Sequence, residues 1–359
     1  VTLVSTIATG AASAKETMNG ALATRYSVDI VAMGDDISQQ MVKDVADING
    51  VSDTLYAPAV SVTLEKADGT QPTSALLVGV KNIDQVKQVM RANLGNASID
   101  SDSVLMPTYN AQTGKELQFA NGTADFSTEW NQDGDATRSL TLQANQADYR
   151  RVSAQYGAVG FVDESHFTNG DLDAATHVLL VKADTDKSGV SVDDIYNDMQ
   201  AALEKSTDAT VTGPIAERIV WANMIDSMMM LLVGLIAVAV LIALVGVANT
   251  LSLSVIERTR ESATLRAIGM TRGQLRRSLA VEALLISLVS GISGVLLGTL
   301  FGWLGAYVVF SMYGKVVFPF EWGINGIVLA VAAVAALLAS VFPARRAVST
   351  PPVEALAEA

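Results

Sequence analysis

Met228-Met-Met-Leu-Leu-Val-Gly-Leu-Ile-Ala-Val-Ala-Val-Leu-Ile-Ala-Leu-Val-Gly-Val-Ala-Asn-Thr-Leu-Ser-Leu-Ser254 holds no charged residue, and a densely charged stretch starts at Glu257. About 20 apolar residues in a helix cross the roughly 30 Å hydrocarbon core of a bilayer, so this run is long enough to span one. Two further runs, Ala283 to Ser311 and Gly323 to Ala344, are equally free of charge. The competing reading is three buried helices of a soluble core. It fails on length, because soluble helices rarely run so far without a charged face.

The segments between these runs orient them. Residues 257–277 carry Arg258, Arg260, Arg266, Arg272, Arg276 and Arg277 against Glu257 and Glu261, and Arg345 and Arg346 follow the last run. The link 311–322 holds only Lys315 and Glu321. The positive-inside rule therefore predicts that 257–277 and the C-terminus are cytoplasmic, with 311–322 and the N-terminal part outside. Trp221, Trp303, Tyr307, Tyr313, Phe318, Phe320 and Trp322 gather toward that outer boundary, as interfacial aromatics do.

Charge and composition divide the chain near residue 222. Residues 1–222 carry 15 Lys/Arg against 30 Asp/Glu, a net charge of −15, whereas 223–359 carry 9 against 7, or +2. An acidic N-terminal part is not a nucleic-acid surface. Among 359 residues, 50% are hydrophobic and none is Cys, which excludes disulfides and thiolate metal sites. Mean hydropathy is +0.34, too apolar for one soluble domain and too mixed for a bare membrane bundle.

Within Glu257-Arg-Thr-Arg-Glu-Ser-Ala-Thr-Leu-Arg-Ala-Ile-Gly-Met-Thr-Arg-Gly-Gln274, Gly269 marks a helix stop, since Gly tolerates the left-handed C′ conformation. Thr271 and Gln274 then form a capping box that opens the next helix. The spacing predicts a short helix across the cytoplasmic face, a sharp turn, and a helix climbing back into the membrane. A basic loop resting on lipid headgroups is the plainer alternative.

Three pieces of this region carry a family resemblance. Glu257-Arg-Thr-Arg-Glu261, Leu265-Arg-Ala-Ile-Gly269 and Thr271-Arg-Gly-Gln-Leu-Arg-Arg277 resemble the FtsX-like permease domain shared by MacB and LolC/LolE-type transporters. Glu282, Pro343-Ala-Arg-Arg-Ala347 and Pro352-Val-Glu-Ala-Leu356 also match that family's pattern. Ser262-Ala263 departs from the usual Ile-Gly, and Met270 stands where Ala is usual. The resemblance covers about residues 224–356. It implies a permease subunit of an ATP-binding-cassette (ABC) system, with ATP and Mg in a cytoplasmic ATPase dimer and no cofactor in this chain. It implies further that Glu257, Arg258, Arg260, Glu261, Leu265, Arg266 and Gly269 form or brace the ATPase contact. A second permease unit, as a homodimer or fused repeat, and an extracytoplasmic adaptor, substrate or hydrolase are the other expected partners.

Gly294, Gly298, Gly302 and Ala306 recur every four residues, with Gly291 just before them. Small residues at that spacing let another helix backbone approach closely, though the sequence leaves open which helix that is. Val1 to Ala8 is apolar but too short to span. It reads as the outer end of a truncated membrane helix leading out through Gly10, with a buried first strand as the alternative.

The expected architecture is an α+β outer domain, made of two βαβ units with a β-rich insertion, plus a transmembrane α-helical bundle of three complete spans and the stub of a fourth. Its segments are 1–10 (stub), 11–222 (porter-like outer domain, insertion about 101–162), 223–256 (span), 257–277 (elbow), 278–311 (span), 312–322 (outer loop), 323–344 (span) and 345–359 (tail). In the outer domain, strands are expected near 28–33, 51–64, 74–80, 176–182 and 209–212, and helices at 37–48, 83–93 and 192–205. Asp35-Asp36 offers N-caps to the first helix. Asp68-Gly69, Asn121-Gly122 and Asp133-Gly134 are hairpin signals.

Catalytic chemistry is poorly represented. Asp184-Thr-Asp-Lys-Ser-Gly189 begins like an EF-hand loop, but Ile195 stands where a bidentate Glu is needed. His166 and His177 lack a ligand spacing and read as polar surface residues. Ser293 sits within an apolar run without the nucleophile-elbow pattern. No Gly-x-x-x-x-Gly-Lys-Ser/Thr occurs, so the chain has no ATP-binding loop of that type and is not expected to be an enzyme. The leading expectation is mechanotransmission that exports or extracts a peptide, lipid or lipoprotein. The alternative is a regulatory scaffold for an extracellular cell-wall hydrolase or a signal.

Overall fold

The computed structural model describes residues 1–65, 71–130, 136–184, 189–267 and 269–349. The Asp68-Gly69 and Asp133-Gly134 turns, the centre of the Asp184–Gly189 loop and the tail beyond residue 349 lie outside the described residues. Two compact units are present: Asn19–Trp221, and Val1–Met18 with Ala222–Ala359.

The first unit is a mixed α/β domain. Its strands are β1 (Ile30–Gly34), β2 (Val51–Glu65), β3 (Thr73–Val80), β4 (Ser103–Pro107), β5 (Thr123–Trp130), β6 (Ala136–Ala147), β7 (Ala158–Asp163), β8 (Thr176–Ala183) and β9 (Thr210–Thr212). Its short helices are α2 (Gln39–Ala46), α3 (Ile83–Val89), α4 (Ser165–Thr168) and α5 (Val192–Ala202), while α1 (Thr2–Arg25) precedes β1. Ser38, Asn82 and Ser191 cap α2, α3 and α5 by accepting a backbone N–H. Asp35 and Asp36 do not cap α2. The Asp36 carboxylate instead accepts from the Thr207 N–H at 2.9 Å and from the Ser206 hydroxyl. Those contacts, with the Ser206 hydroxyl first, hold its carboxyl well below the usual carboxylate range.

Long strand β2 organises the domain. Its Val51–Ala59 half pairs antiparallel with β8, and β8 pairs with β1, which pairs with β9. The order β2-β8-β1-β9, with α2 and α5 as crossovers, is a split βαβ arrangement. At Ala59 the strand changes partners: Ala59–Leu64 pairs with β3 and Thr63–Glu65 with β5. The ladder continues β3-β7-β4-β6-β5, so six strands close a ring. The insertion is therefore larger than 101–162, because β3 and half of β2 complete the ring. Long-range closure of this kind leaves no local trace. Asn121 (φ 58) and Gly122 (φ 72) make a short 3-10 turn that opens β5, instead of joining two strands.

Three apolar cores hold the layers together. Val62, Leu64, Leu77, Met106 and Phe126 fill the ring. Leu55, Val78, Phe161 and Leu180 pack with Val86 and Val89 of α3. Ile30, Leu179 and Val181 pack with Met41, Val45, Ile195 and Met199 of α2 and α5. Each fully buried large side chain contributes about 1.5–3 kcal/mol. Gly160 on β7 shows how full the ring is: a Cβ there would sit 2.6 Å from Met106 Sδ and 3.0 Å from Leu77 Cδ2.

The second unit is helical: α1 up to Met18, α6 (Pro214–Ala267) from Ala222, α7 (Arg272–Phe310) and α8 (Trp322–Ser349). Helix α1 differs from the expected stub, since it runs through Gly10 and ends only at Arg25. Ala11, Ala12, Ala14, Lys15 and Glu16 are strong helix formers that carry it past Gly10. Helix α6 is continuous over 54 residues. The break expected near residue 256 is absent because no Gly or Pro stands between Gly246 and Gly269. Among the described residues, Pro214–Ile242 and Ala280–Phe310 are long and apolar enough to cross a membrane, whereas Trp322–Leu337 is shorter.

Candidate functional site

Two features of the helical unit concentrate the predicted site residues: the turn joining α6 to α7, and the seam where α7 meets α1. Glu257, Arg258, Arg260, Glu261, Leu265 and Arg266 all lie on the last turns of α6. Their side chains fall outside the described residues. Gly269 follows with φ +112, a conformation that strains any residue with a Cβ. Thr271 then caps α7: its backbone N–H donates to Gln274 Oε1 at 2.9 Å, and the Gln274 N–H donates to Thr271 Oγ1 at 3.3 Å. Both halves of the capping box are formed, which fixes the start of α7 at Arg272, shortly after the end of α6 at Ala267.

The glycine stripe of α7 meets two helices. A Cβ at Gly294 would lie 2.9 Å from Val1 Cγ1, and one at Gly302 would lie 2.8 Å from both the Thr6 carbonyl oxygen and Thr9 Cβ. At Gly298 the distances are 2.6 Å to both Ser5 Cβ and the Thr2 carbonyl oxygen. Gly291 instead faces Leu329 of α8, 2.7 Å from its Cδ2. Ala306 is buried. The helix received by Gly294, Gly298 and Gly302 is thus α1 of the same chain.

Helix α1 answers with its own stripe. Ser5, Thr9, Ser13 and Thr17 recur every four residues, and each is at most 1% exposed. The Ser5 hydroxyl donates to Asn325 Oδ1 of α8 at 2.6 Å, tying three helices at one point. Ser13 donates to the Val317 carbonyl, and Thr17 Oγ1 accepts from the Val317 N–H at 3.1 Å. Sequence reasoning missed these hydroxyls. The four-residue spacing was the available signal, concealed by reading residues 1–10 alone. Small residues on both sides of a seam bring backbones close, and each interhelical hydrogen bond adds about 0.6 kcal/mol.

Beside this seam, Trp303 Nε1 donates to the Pro319 carbonyl at 2.8 Å, and the Trp303 and Phe318 rings meet edge to face at 6.1 Å. Phe320 and Trp322 pair at 4.5 Å. Four of the expected aromatic belt residues, Trp303, Phe318, Phe320 and Trp322, thus meet in two pairs. Lys15 and Asp226 form a salt bridge at 2.5 Å between α1 and α6.

His166 is not a surface residue. It is buried, with Nδ1 2.9 Å from Asp171 Oδ2 and Nε2 2.7 Å from the Ser101 carbonyl oxygen. His177 stacks on Tyr56 at 5.2 Å. Among the described residues, no group of three or more His, Asp or Glu is placed to hold a metal ion.

The FtsX-like permease C-terminal family matches residues 233–352, a stretch that includes the capped turn and the glycine stripe of α7. Residues 233–352 are an FtsX-like permease domain. Domains of this family are membrane-embedded and work with ABC ATPases. The chain is 33% identical over 114 residues to the macrolide export ATP-binding/permease protein MacB 1 of Aeromonas hydrophila, covering 31% of this chain and 17% of that protein. It is 32% identical over 131 residues to the Nitrobacter winogradskyi MacB, covering 36% and 19%. An uncharacterized ABC transporter permease of Methanocaldococcus jannaschii is 27% identical over 178 residues, 48% of this chain and 44% of that one. The chain spans about a fifth of the MacB relatives' length. Among solved structures, the periplasmic region of MacB from Actinobacillus actinomycetemcomitans is similar at a TM-score of 0.31 and 9% identity, covering 55% of this chain and 94% of that one.

Proposed function

We propose that this chain is the permease part of an ABC transporter, and that the α6–α7 turn receives movement from a cytoplasmic ATPase dimer. The observation that carries the reading is the FtsX-like match over 233–352, which contains a turn marked by Gly269 and the Thr271–Gln274 box. Glu257, Arg258, Arg260, Glu261, Leu265 and Arg266 form the ATPase contact on the last turns of α6, and Gly269 braces it. ATP and Mg belong to the ATPase. Helices α1 and α6 are the two chain segments that join the helical unit to the α/β domain, so they carry the movement outward. The movement reaches the α/β domain only because the two ATPase states grip the turn differently.

In this reading α6, α7 and α8 are the three spans, with α1 the fourth helix of the bundle. The turn and the tail are cytoplasmic, and the domain of residues 19–221 is extracytoplasmic, as the arginine distribution supports. A second permease unit completes the transporter. Its work is export or extraction of a peptide, lipid or lipoprotein. The size of the α/β domain favours substrate or adaptor handling over the regulatory-scaffold alternative.

The test is reconstitution with the cognate ATPase in proteoliposomes. Replacing Glu257, Glu261 and Arg266 together abolishes ATP-driven substrate movement while membrane insertion is retained. Unchanged movement refutes the coupling role.

A further inference from the structure

The α/β domain is strongly acidic, yet three of the 15 basic residues before residue 223 line one cavity of about 640 Å³. They are Arg25, Arg150 and Arg151, and Asp148 is the one acidic residue in the lining. Their convergence is built by backbone. The Arg151 N–H donates to the Arg25 carbonyl at 3.2 Å, the Ser27 N–H donates to the Arg151 carbonyl at 3.0 Å, and the Arg150 N–H donates to Ser27 Oγ at 2.7 Å. Segments more than 120 residues apart are thereby zipped together, with Arg25 closing the last turn of α1.

The guanidinium groups are also positioned. Arg150 donates one N–H to the Thr24 carbonyl at 2.7 Å, and Arg151 one to the Ala111 carbonyl at 2.6 Å. The Arg151 guanidinium also lies 5.5 Å from the centre of the Tyr26 ring. These contacts fix direction without neutralising charge, and each guanidinium has five N–H donors. Among the described residues, neither Arg150 nor Arg151 has a carboxylate within salt-bridge distance. Across the cavity, the loop at 110–114 is held by Asn110 Oδ1, which accepts the Gln112 and Thr113 N–H groups at 2.9 and 3.0 Å. Tyr109 is 54% exposed at the rim.

We propose that this cavity binds a phosphate ester, with its oxyanion held by Arg25, Arg150 and Arg151 and its organic part against Tyr109. Guanidinium groups held by carbonyl oxygens keep their charge, and a phosphomonoester near −2 is the anion that suits them. Planar guanidinium forks suit phosphate oxygens in bidentate pairs. The same chemistry is offered by a soluble ester such as glycerol 3-phosphate and by the headgroup of phosphatidic acid.

The experiment uses the full chain in phosphatidylcholine nanodiscs, titrated with glycerol 3-phosphate by calorimetry, with glycerol as the uncharged control. A second arm measures retention of phosphatidic acid in mixed nanodiscs by mass spectrometry. Saturable binding of the soluble ester alone assigns a soluble ligand, and retention of phosphatidic acid alone assigns a lipid headgroup. In either case Arg150→Gln weakens binding about tenfold to a hundredfold, as expected for a lost charge-assisted bond. Thr113→Glu, on the exposed loop, weakens it by placing a negative charge beside the bound anion without removing any arginine contact. Absence of saturable binding in both arms, or binding unchanged in both variants, overturns the proposal. Binding is read without an ATPase, so this result is separable from the coupling proposal.

Discussion

Gly298 of α7 and Ser5 of α1 approach so closely that a Cβ on Gly298 would lie 2.6 Å from Ser5 Cβ. The Thr2 carbonyl oxygen is equally near, and backbone cannot swing aside as a flexible side chain can. Gly298→Ala should therefore destabilise the helical unit by about 1–3 kcal/mol, and Gly298→Leu by more. Gly305, on the same helix, has nothing within 4 Å of an added Cβ, so Gly305→Ala should stay within about 0.5 kcal/mol of the parent. Thermal melts in nanodiscs compare them directly. Equal stability of Gly298→Ala and Gly305→Ala would remove the seam as a packing determinant.

The turn between α6 and α7 holds Gly269 in a positive-φ conformation. Gly269→Ala forces a residue with a Cβ to φ +112, at a cost on the order of 1–3 kcal/mol. Thr271→Ala removes the acceptor of the Gln274 N–H and costs about 1 kcal/mol. If the turn transmits force, both variants should lower substrate movement per ATP hydrolysed more than they lower protein yield. A ratio equal to that of the parent would show that turn rigidity is irrelevant.

Asp171 provides a test at acid pH. The contact with His166, then that with Asn169, lowers its carboxyl from the ordinary value. The folded state thus favours ionised Asp171, and the resulting stability is present above the unfolded pKa of about 3.9 and lost as pH falls through the lower folded value. Asp171 is 46% exposed, so solvent screening keeps the effect below about 1 kcal/mol. Asp171→Asn should lower stability at pH 6 and reduce the loss between pH 4 and pH 2. Identical melting profiles for parent and variant across that range would contradict the assignment.

Local signals carried much of this structure into the sequence. The strands and helices around 28–64 and 176–212 follow from alternation and caps, and the Gly269 stop with the Thr271–Gln274 box needs only neighbouring residues. Features built by distant residues were not legible. The six-strand ring closes through β2–β3 and β3–β7 pairings, and His166 is buried by Asp171 and the Ser101 carbonyl, 65 residues from it. The hydroxyl stripe of α1 escaped because Ser and Thr give no apolar period, and Gly10 resembled a helix end. Gly10 instead lies beside Gly302, where a Cβ would sit 3.8 Å from the Gly302 carbonyl oxygen.

The absence of Cys makes single-cysteine mapping direct. Asp100→Cys and Arg266→Cys can each be probed in intact cells with a membrane-impermeant maleimide, then again after permeabilisation. Coupling across the membrane predicts that Asp100→Cys is labelled from outside, and that Arg266→Cys is labelled only after permeabilisation and is protected by the bound ATPase. Labelling of both positions from the same side would contradict it.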